Sequence, residues 1–278
     1  MTADVEAIAT GPGALERFLA RAAKSAARRA WLPLAGILTL LGLWWLGGVL
    51  IAANPDTTSF AGFAPVPALA ALTDILLGGG LWDMAGPSLS RIGFGLAWAA
   101  AVGIPIGVAV GRYAAFRRAS HTPFQFLRMI SPLAWMPIAV LAFATWDAAI
   151  VFLIAAAAIW PIIFATANGL RRIDPQWLKV ARNLGGHEIQ VLRHVVFPAI
   201  AQDMLTGIRL ALGVAWIVLV PAEYLGVTSG LGYSINDARD TLEYDRLAAI
   251  VVLIGAIGFL LDGLCVLAIK RVNWRRAD

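Results

Sequence analysis

Lysine is almost missing from this chain. Of 278 residues only Lys24, Lys179 and Lys270 carry an ammonium side chain, and none follows a glycine-rich loop. The phosphate-cradling pattern G-x-x-x-x-G-K-[ST] is absent, which excludes a P-loop ATPase. Charge of either sign is scarce too, at 14% of residues, where a soluble domain carries about 25%. With 60% hydrophobic residues and a mean hydropathy of +0.77 there is too little polar surface to face water all round, so the chain reads as an integral membrane protein. The single cysteine, Cys265, excludes an intrachain disulfide. His121, His187 and His194 have no cysteine partner and no H-E-x-x-H spacing, so no metal site is expected. No Ser–His–Asp set lies deep in an apolar run, which argues against an intramembrane protease. A sequence pI near 9.9 points to basic residues on the cytoplasmic face of a membrane rather than to nucleic acid.

What is present is a series of apolar runs. A membrane-crossing helix needs about 20 residues, and residues 31–53, 92–110, 148–170, 204–222 and 247–269 supply five such runs. A sixth, 129–145, is shorter and reaches back through Phe126, with Arg128 snorkelling to the interface. Arg209 and Asp262 are the charges inside these runs. With the N-terminus placed in the cytoplasm, eighteen of the 22 Lys and Arg fall on the inner side and three, Arg91, Arg239 and Arg246, on the outer. This bias predicts six spans with both termini cytoplasmic.

Residues 1–30 are expected to stay with the chain, because the polar stretch is too long and the following apolar run too long for a signal peptide. Leu15, Phe18, Leu19 and Ala22 share a helical face opposite Arg17, Arg21 and Lys24, as in a helix lying on the inner membrane surface. Residues 31–278 then form the membrane domain. Within the second span Gly95, Ala99, Gly103, Gly107 and Gly111 recur every four residues, a stripe that lets another helix backbone approach closely. Pro105 in the same helix predicts a kink. The connection before it, "PVPALAALTDILLGGG", predicts a short external helix ended by Gly78–Gly80.

The polar segment between spans four and five, within 171–198, reads "KVARNLGGHEIQVLRHVVFP" from Lys179. Asp174-Pro175 supplies a cap and a first-turn proline. One helix over 177–184 carries Leu178, Ala181 and Leu184 on a face, Gly185–Gly186 break it, and a second over 188–197 carries Ile189, Leu192 and Val195/Val196. Pro198 follows at the start of span five. The prediction is a helix–glycine–helix unit at the cytoplasmic surface, with an apolar ridge in a basic frame.

Lys179-Val180-Ala181, three residues, Gly185, nine residues and Val195-Val196-Phe197-Pro198 match the spacing E-A-A-x3-G-x9-I-x-L-P of ABC importer permeases, with Lys179 where the family has glutamate. "SPLAWMPIAVLAFATWD", "NGLRRIDPQWLKVARNLGG", "TGIRLALGVAWIVLVPAEYLG" and "SGLGYSINDAR" resemble the nitrate/taurine/sulfonate branch, and "FAPVPALAALTDIL" resembles its external helix. The resemblance implies the all-α, six-helix type I importer permease fold in the bacterial inner membrane and no enzymatic activity. It implies a homodimer, two copies of a separate ATPase that carries the ATP and Mg, no cofactor in this chain, and a periplasmic substrate-binding protein. It assigns coupling to the ATPase to Lys179, Val180, Ala181, Gly185, Gly186 and Pro198. Trp135, Met136 and Pro137 resemble the branch's pathway-lining stretch, and Trp216 is a further candidate. Arg209 either pairs with Asp262 or meets an anion, and Glu223 is read as a gate, a binding-protein contact or a solvated helix end. The segment 222–239 looks most like taurine and organosulfonate permeases; nitrate or bicarbonate is the alternative, and an ion-coupled secondary transporter with Arg209 and Asp262 as its site is the rival class.

Overall fold

The computed structural model describes residues 14–274, with side chains from 31 to 272, and these form helices joined by short turns. They divide into two compact units, Met1–Leu69 and Ala70–Asp278. In the first, helix α1 (Ala14–Ala53) runs without a break into the first apolar span. The face expected of residues 1–30 falls on side chains outside those described. From Trp31 onward α1 exposes nearly all its leucines and tryptophans, as a helix bathed in hydrocarbon does. Asn54 then caps a 3-10 segment, Pro55–Phe63, its side chain accepting from the Asp56 N–H at 3.0 Å. That segment folds back on α1. The Trp44 indole N–H donates to the Phe63 carbonyl at 2.8 Å, and Gly48 leaves room for Ala64. Helix α2 (Pro65–Leu77) follows and ends where the Gly78 N–H returns to the Asp74 carbonyl at 2.8 Å, so a helix does stand before Gly78–Gly80.

The second unit is organised around parallel helices α3 (Gly80–Arg112) and α6 (Trp146–Arg172). The four-residue stripe of α3 faces α6: Gly95 meets Ile154, Gly103 Ile162, Gly107 Thr166 and Gly111 Leu170, a constant offset of 59 residues. A constant offset means that the two helices run side by side in the same direction. A Cβ on Gly107 would sit 2.7 Å from the Thr166 Cβ and 2.8 Å from the Ile163 carbonyl oxygen, so glycine there sets the helix separation. Helix α3 continues through Pro87 and Pro105.

Because α3 and α6 are parallel, residues 113–145 must carry the chain back from one end of the bundle to the other. They do so as a bent pair rather than the single span expected at 129–145. Helix α4 (Ala114–Met129) stops, Pro132–Trp135 makes one 3-10 turn, and α5 (Met136–Ala142) leaves at 85°. Pro132 lacks an N–H and disfavours helical backbone in the residue before it, and Ser131 is extended (ψ 129°). By length and apolarity the six continuous candidates are Trp31–Ala53, Pro55–Leu77, Gly80–Arg112, Trp146–Arg172, Glu188–Gly226 and Tyr244–Val272; the bent pair would make a seventh.

A short helix α7 (Pro175–Asn183) turns the chain into α8 (Glu188–Gly226), which runs antiparallel to α6: Asp203 packs at Gly169 and Gly207 at Ala165. Helix α9 (Leu231–Asp240) caps the far end, and α10 (Tyr244–Trp274) returns antiparallel to α8, bringing its C-terminal end to the same end of the bundle as the 171–198 loop. The main core lies between α3, α6 and α8, where Ile150, Leu153, Ile154, Ile162, Ala211, Ala215 and Leu219 are fully buried.

Candidate functional site

At the loop end, α7 begins with Asp174, whose Oδ1 accepts from the Gln176 N–H at 2.9 Å, and Pro175 in the first turn. It ends in a left-handed residue, Gly185 (φ 82°). The Gly185 N–H donates to the Arg182 carbonyl at 2.9 Å and the Gly186 N–H to the Ala181 carbonyl at 3.0 Å. This pair of bonds satisfies the last carbonyls of a helix and asks for glycine at the left-handed position. The Gln190 side chain then accepts from the His187 N–H at 3.0 Å, starting α8.

The faces of this corner differ from the expected ones. Leu178 and Ala181 turn inward, onto a cluster with Val191, Val196, Ile200, Leu170 and Ile173. Leu184 does not join them; it is 84% exposed, and Trp177, Val180 and Ile189 also face out. Ile189 was expected with Leu192 and Val195/Val196, but the buried members of α8's first turns are Val191 and Val196. The outward ridge is therefore Trp177, Val180, Leu184 and Ile189, flanked by exposed Lys179 and Arg182. The ridge is anchored: Glu188 pairs with Arg182 at 3.1 Å and with Arg112, at the end of α3, at 3.4 Å.

Pro198 does not divide the second short helix from span five. Residues Glu188 to Gly226 are one element, with a π-helical stretch, Leu192–Val196, just before the proline. In a regular α-helix the proline ring clashes with the carbonyl four residues back. Widening the preceding turn removes the conflict, and the Phe197 N–H accordingly bonds the Leu192 carbonyl five residues back.

At the opposite end, Glu223 is not a solvated helix end, because it is fully buried. Its carboxylate accepts from the Ser88 hydroxyl at 2.8 Å, the Gly232 N–H at 2.9 Å and the Arg91 guanidinium at 2.6 Å. Arg91, counted above among outer loop charges, lies inside α3 and is 3% exposed. All three of its nitrogens are engaged: it donates four hydrogen bonds, to Glu223, to Asp147 at 2.7 Å and to the Ser229 carbonyl and hydroxyl at 2.9 Å, and its Nη2 also lies 2.7 Å from Asp147 Oδ1. Gly230 (φ 109°) wraps the 229–232 turn over this node, and a Cβ there would sit 2.6 Å from the Glu223 carboxylate. Sequence reasoning missed Arg91, although Arg91 stands four residues before Gly95, on the extension of the buried stripe.

Midway along the spans, Arg209 of α8 and Asp262 of α10 pair side-on, Nε to Oδ1 at 2.6 Å and Nη2 to Oδ2 at 2.7 Å. One and two turns further along lie Gly213 and Trp216, whose Nε1 lies beside Gly258 of α10. Of the expected pathway residues, Met136 is buried in the α3–α6–α8 core and Trp135 packs against it, while Pro137 is exposed. The structure thus brings Trp216 near the Arg209–Asp262 pair, whereas Glu223 stands about 21 Å of helix away from Arg209. Among the described residues no cluster of three or more His, Cys, Asp or Glu is arranged to hold a metal.

The family model for the binding-protein-dependent transport system inner membrane component matches residues 103–274. The bicarbonate transport system permease protein CmpB of Synechococcus elongatus is 36% identical over 242 residues, covering 83% of this chain and 85% of that one. The taurine transport system permease protein TauC of Escherichia coli is 31% identical over 255 residues (89% and 90%), and the nitrate import permease protein NrtB of Leptolyngbya laminosa 35% over 191 (69% and 68%). The MetNI methionine ABC transporter, in an inward-facing conformation, shares the fold at a TM-score of 0.58 and 16% identity, over 67% of this chain and 93% of that one. The chain is therefore a multi-pass transport permease subunit and not an enzyme, and it belongs to the family of binding-protein-dependent transport system inner membrane components.

Proposed function

We propose that this chain forms the translocation pathway of an ATP-driven importer for a small oxyanion. The observation that carries the reading is the anchored ridge of Trp177, Val180, Leu184 and Ile189. Four large apolar side chains on a corner held by Glu188 and a glycine cap form a knob that fits a groove on a separate ATPase, two copies of which would drive the transporter. A rigid corner continuous with α8 passes the motion of that groove directly to the bundle. The basic loop end, with Arg112, Arg171, Arg172, Lys179, Arg182, Arg193, Lys270 and Arg271, is read as cytoplasmic together with the C-terminal end of α10. By the same bias the basic residues Arg17, Arg21, Lys24, Arg28 and Arg29 are read as putting the N-terminus inside. The opposite end then meets a periplasmic binding protein, and a second copy of the chain completes the pathway. Relatives that carry bicarbonate, nitrate and taurine support an oxyanion as substrate. An organosulfonate such as taurine is the first compound to try, on the likeness of 222–239. Family membership leaves no place for the ion-coupled secondary transporter.

The test uses exposed positions, since Ala181 packs inward and Gly185 is left-handed. Leu184→Asp with Ile189→Asp should lower co-purification of the cognate ATPase on a tag carried by this chain by roughly 30-fold, as loss of interface anchors does, with the elution volume of the permease unchanged. Undiminished ATPase binding would remove the coupling role from the ridge.

A further inference from the structure

Arg209 stands about 18 Å of helix from Phe197 and about 25 Å from Gly226, at 1.5 Å per residue, in the middle of its span. Side-on pairing with Asp262 uses two of its five N–H groups, one on Nε and one on Nη2. No acceptor among the described residues takes the other three. The two side chains are nonetheless 42% and 46% exposed. Hydrocarbon offers no acceptor and makes an unsatisfied donor costly, so this edge of the guanidinium does not face lipid. The free edge, Nη1 with the second N–H of Nη2, has the same two-pronged geometry that Asp262 already satisfies on the other edge. Two oxygens of a bicarbonate, nitrate or sulfonate group match it as a carboxylate does. A cavity of about 110 Å³ lies on the Asp262 side of the pair, lined by Leu212, Gly213, Trp216, Gly258, Leu261 and Asp262. The Trp216 indole N–H, in that wall, has no acceptor among the described residues. Gly213 and Gly258 keep the space open.

We propose that Arg209 binds the passing oxyanion through the free edge of its guanidinium, with Trp216 as a second donor and Asp262 holding the fork in position. This rests on the importer reading above. Asp262 cancels the charge of Arg209, so the anion is held by directed hydrogen bonds rather than by a net positive well. A site within a pathway must release as readily as it binds, and a neutralised fork does this better than a bare cation.

The test measures uptake of labelled taurine, nitrate and bicarbonate by cells expressing the permease with its ATPase and binding protein. Arg209→Gln should lower uptake of the transported anion by roughly 30-fold or more, the loss typical of removing one partner from a charge-assisted contact. The deciding variant is Arg209→Gln with Asp262→Asn, which leaves no unpaired charge in the span. Both variants should co-purify the ATPase at wild-type yield, and the double variant should transport as poorly as the single. Recovery of uptake in the double variant would show that Arg209 only neutralises Asp262, and would overturn the proposal. Failure of the wild-type chain to bind any ATPase would instead overturn the importer reading, and this proposal with it.

Discussion

Arg91 of α3 and Arg209 of α8 each pair with acidic side chains of other helices, and the protein treats them in opposite ways. Arg91 is sealed among α3, α6, α8 and the 229–232 turn, with all three nitrogens donating, four hydrogen bonds in all, and two carboxylates beside it. Arg209 has one carboxylate, three N–H groups without an acceptor among the described residues and an exposed flank, with a cavity beside its partner Asp262. A charge buried with complete partners is a structural tie, because its desolvation is offset only by that complete set. A charge left with open donors at mid-span needs something else to complete it. The sum of satisfied donors, and not the presence of charge in a span, separates the tie from the binding group.

The comparison breaks most visibly at Arg91. Arg91→Met would leave Glu223 buried without its cation, at a cost of about 3–5 kcal/mol, and the expected outcome is loss of most folded, detergent-soluble protein. Arg209→Gln with Asp262→Asn should shift the melting temperature far less; equal losses would mean that both arginines are structural. Next in size is Gly107→Leu. Its side chain would enter the 2.7 Å approach to Thr166 and force α3 from α6, costing about 1–3 kcal/mol as overpacking does, read as a lower melting temperature of the purified permease. The smallest effect is expected at Asp147→Asn. Asp147 is 66% exposed and shares Arg91 with Glu223, so removing its charge should cost under about 1 kcal/mol and leave uptake close to wild type. A loss comparable to that of Arg91→Met would show that Asp147 is an equal member of the node.

Much of the bundle was legible because its signals are local. The stripe of Gly95, Ala99, Gly103, Gly107 and Gly111 reports a close-packed face by spacing alone, and the structure shows α6 against it. Gly185–Gly186 after a short amphipathic run marks a helix end, since only glycine takes the left-handed position without strain. The 129–145 run misled because hydropathy counts apolar residues and does not weigh Pro132 and Pro137, which break the backbone ladder. Glu223 misled in a different way. Its partners Ser88, Arg91 and Gly232 lie more than a hundred residues upstream or nine downstream, and no period in the sequence connects them.

The sequence by itself determined that the chain lives in a membrane, that its apolar helices carry a close-packing stripe, that a polar helix–glycine–helix corner interrupts them, and that this corner has the spacing of an importer permease. Composition and spacing are properties of neighbouring residues, and the backbone obeys them within a few turns. Only the tertiary structure decided which faces of that corner look outward, that 113–145 returns as a bent pair between parallel helices, and which intramembrane arginine is complete. Those outcomes depend on partners brought together from distant parts of the chain, where donor and acceptor must meet at hydrogen-bond distance in a medium that supplies neither.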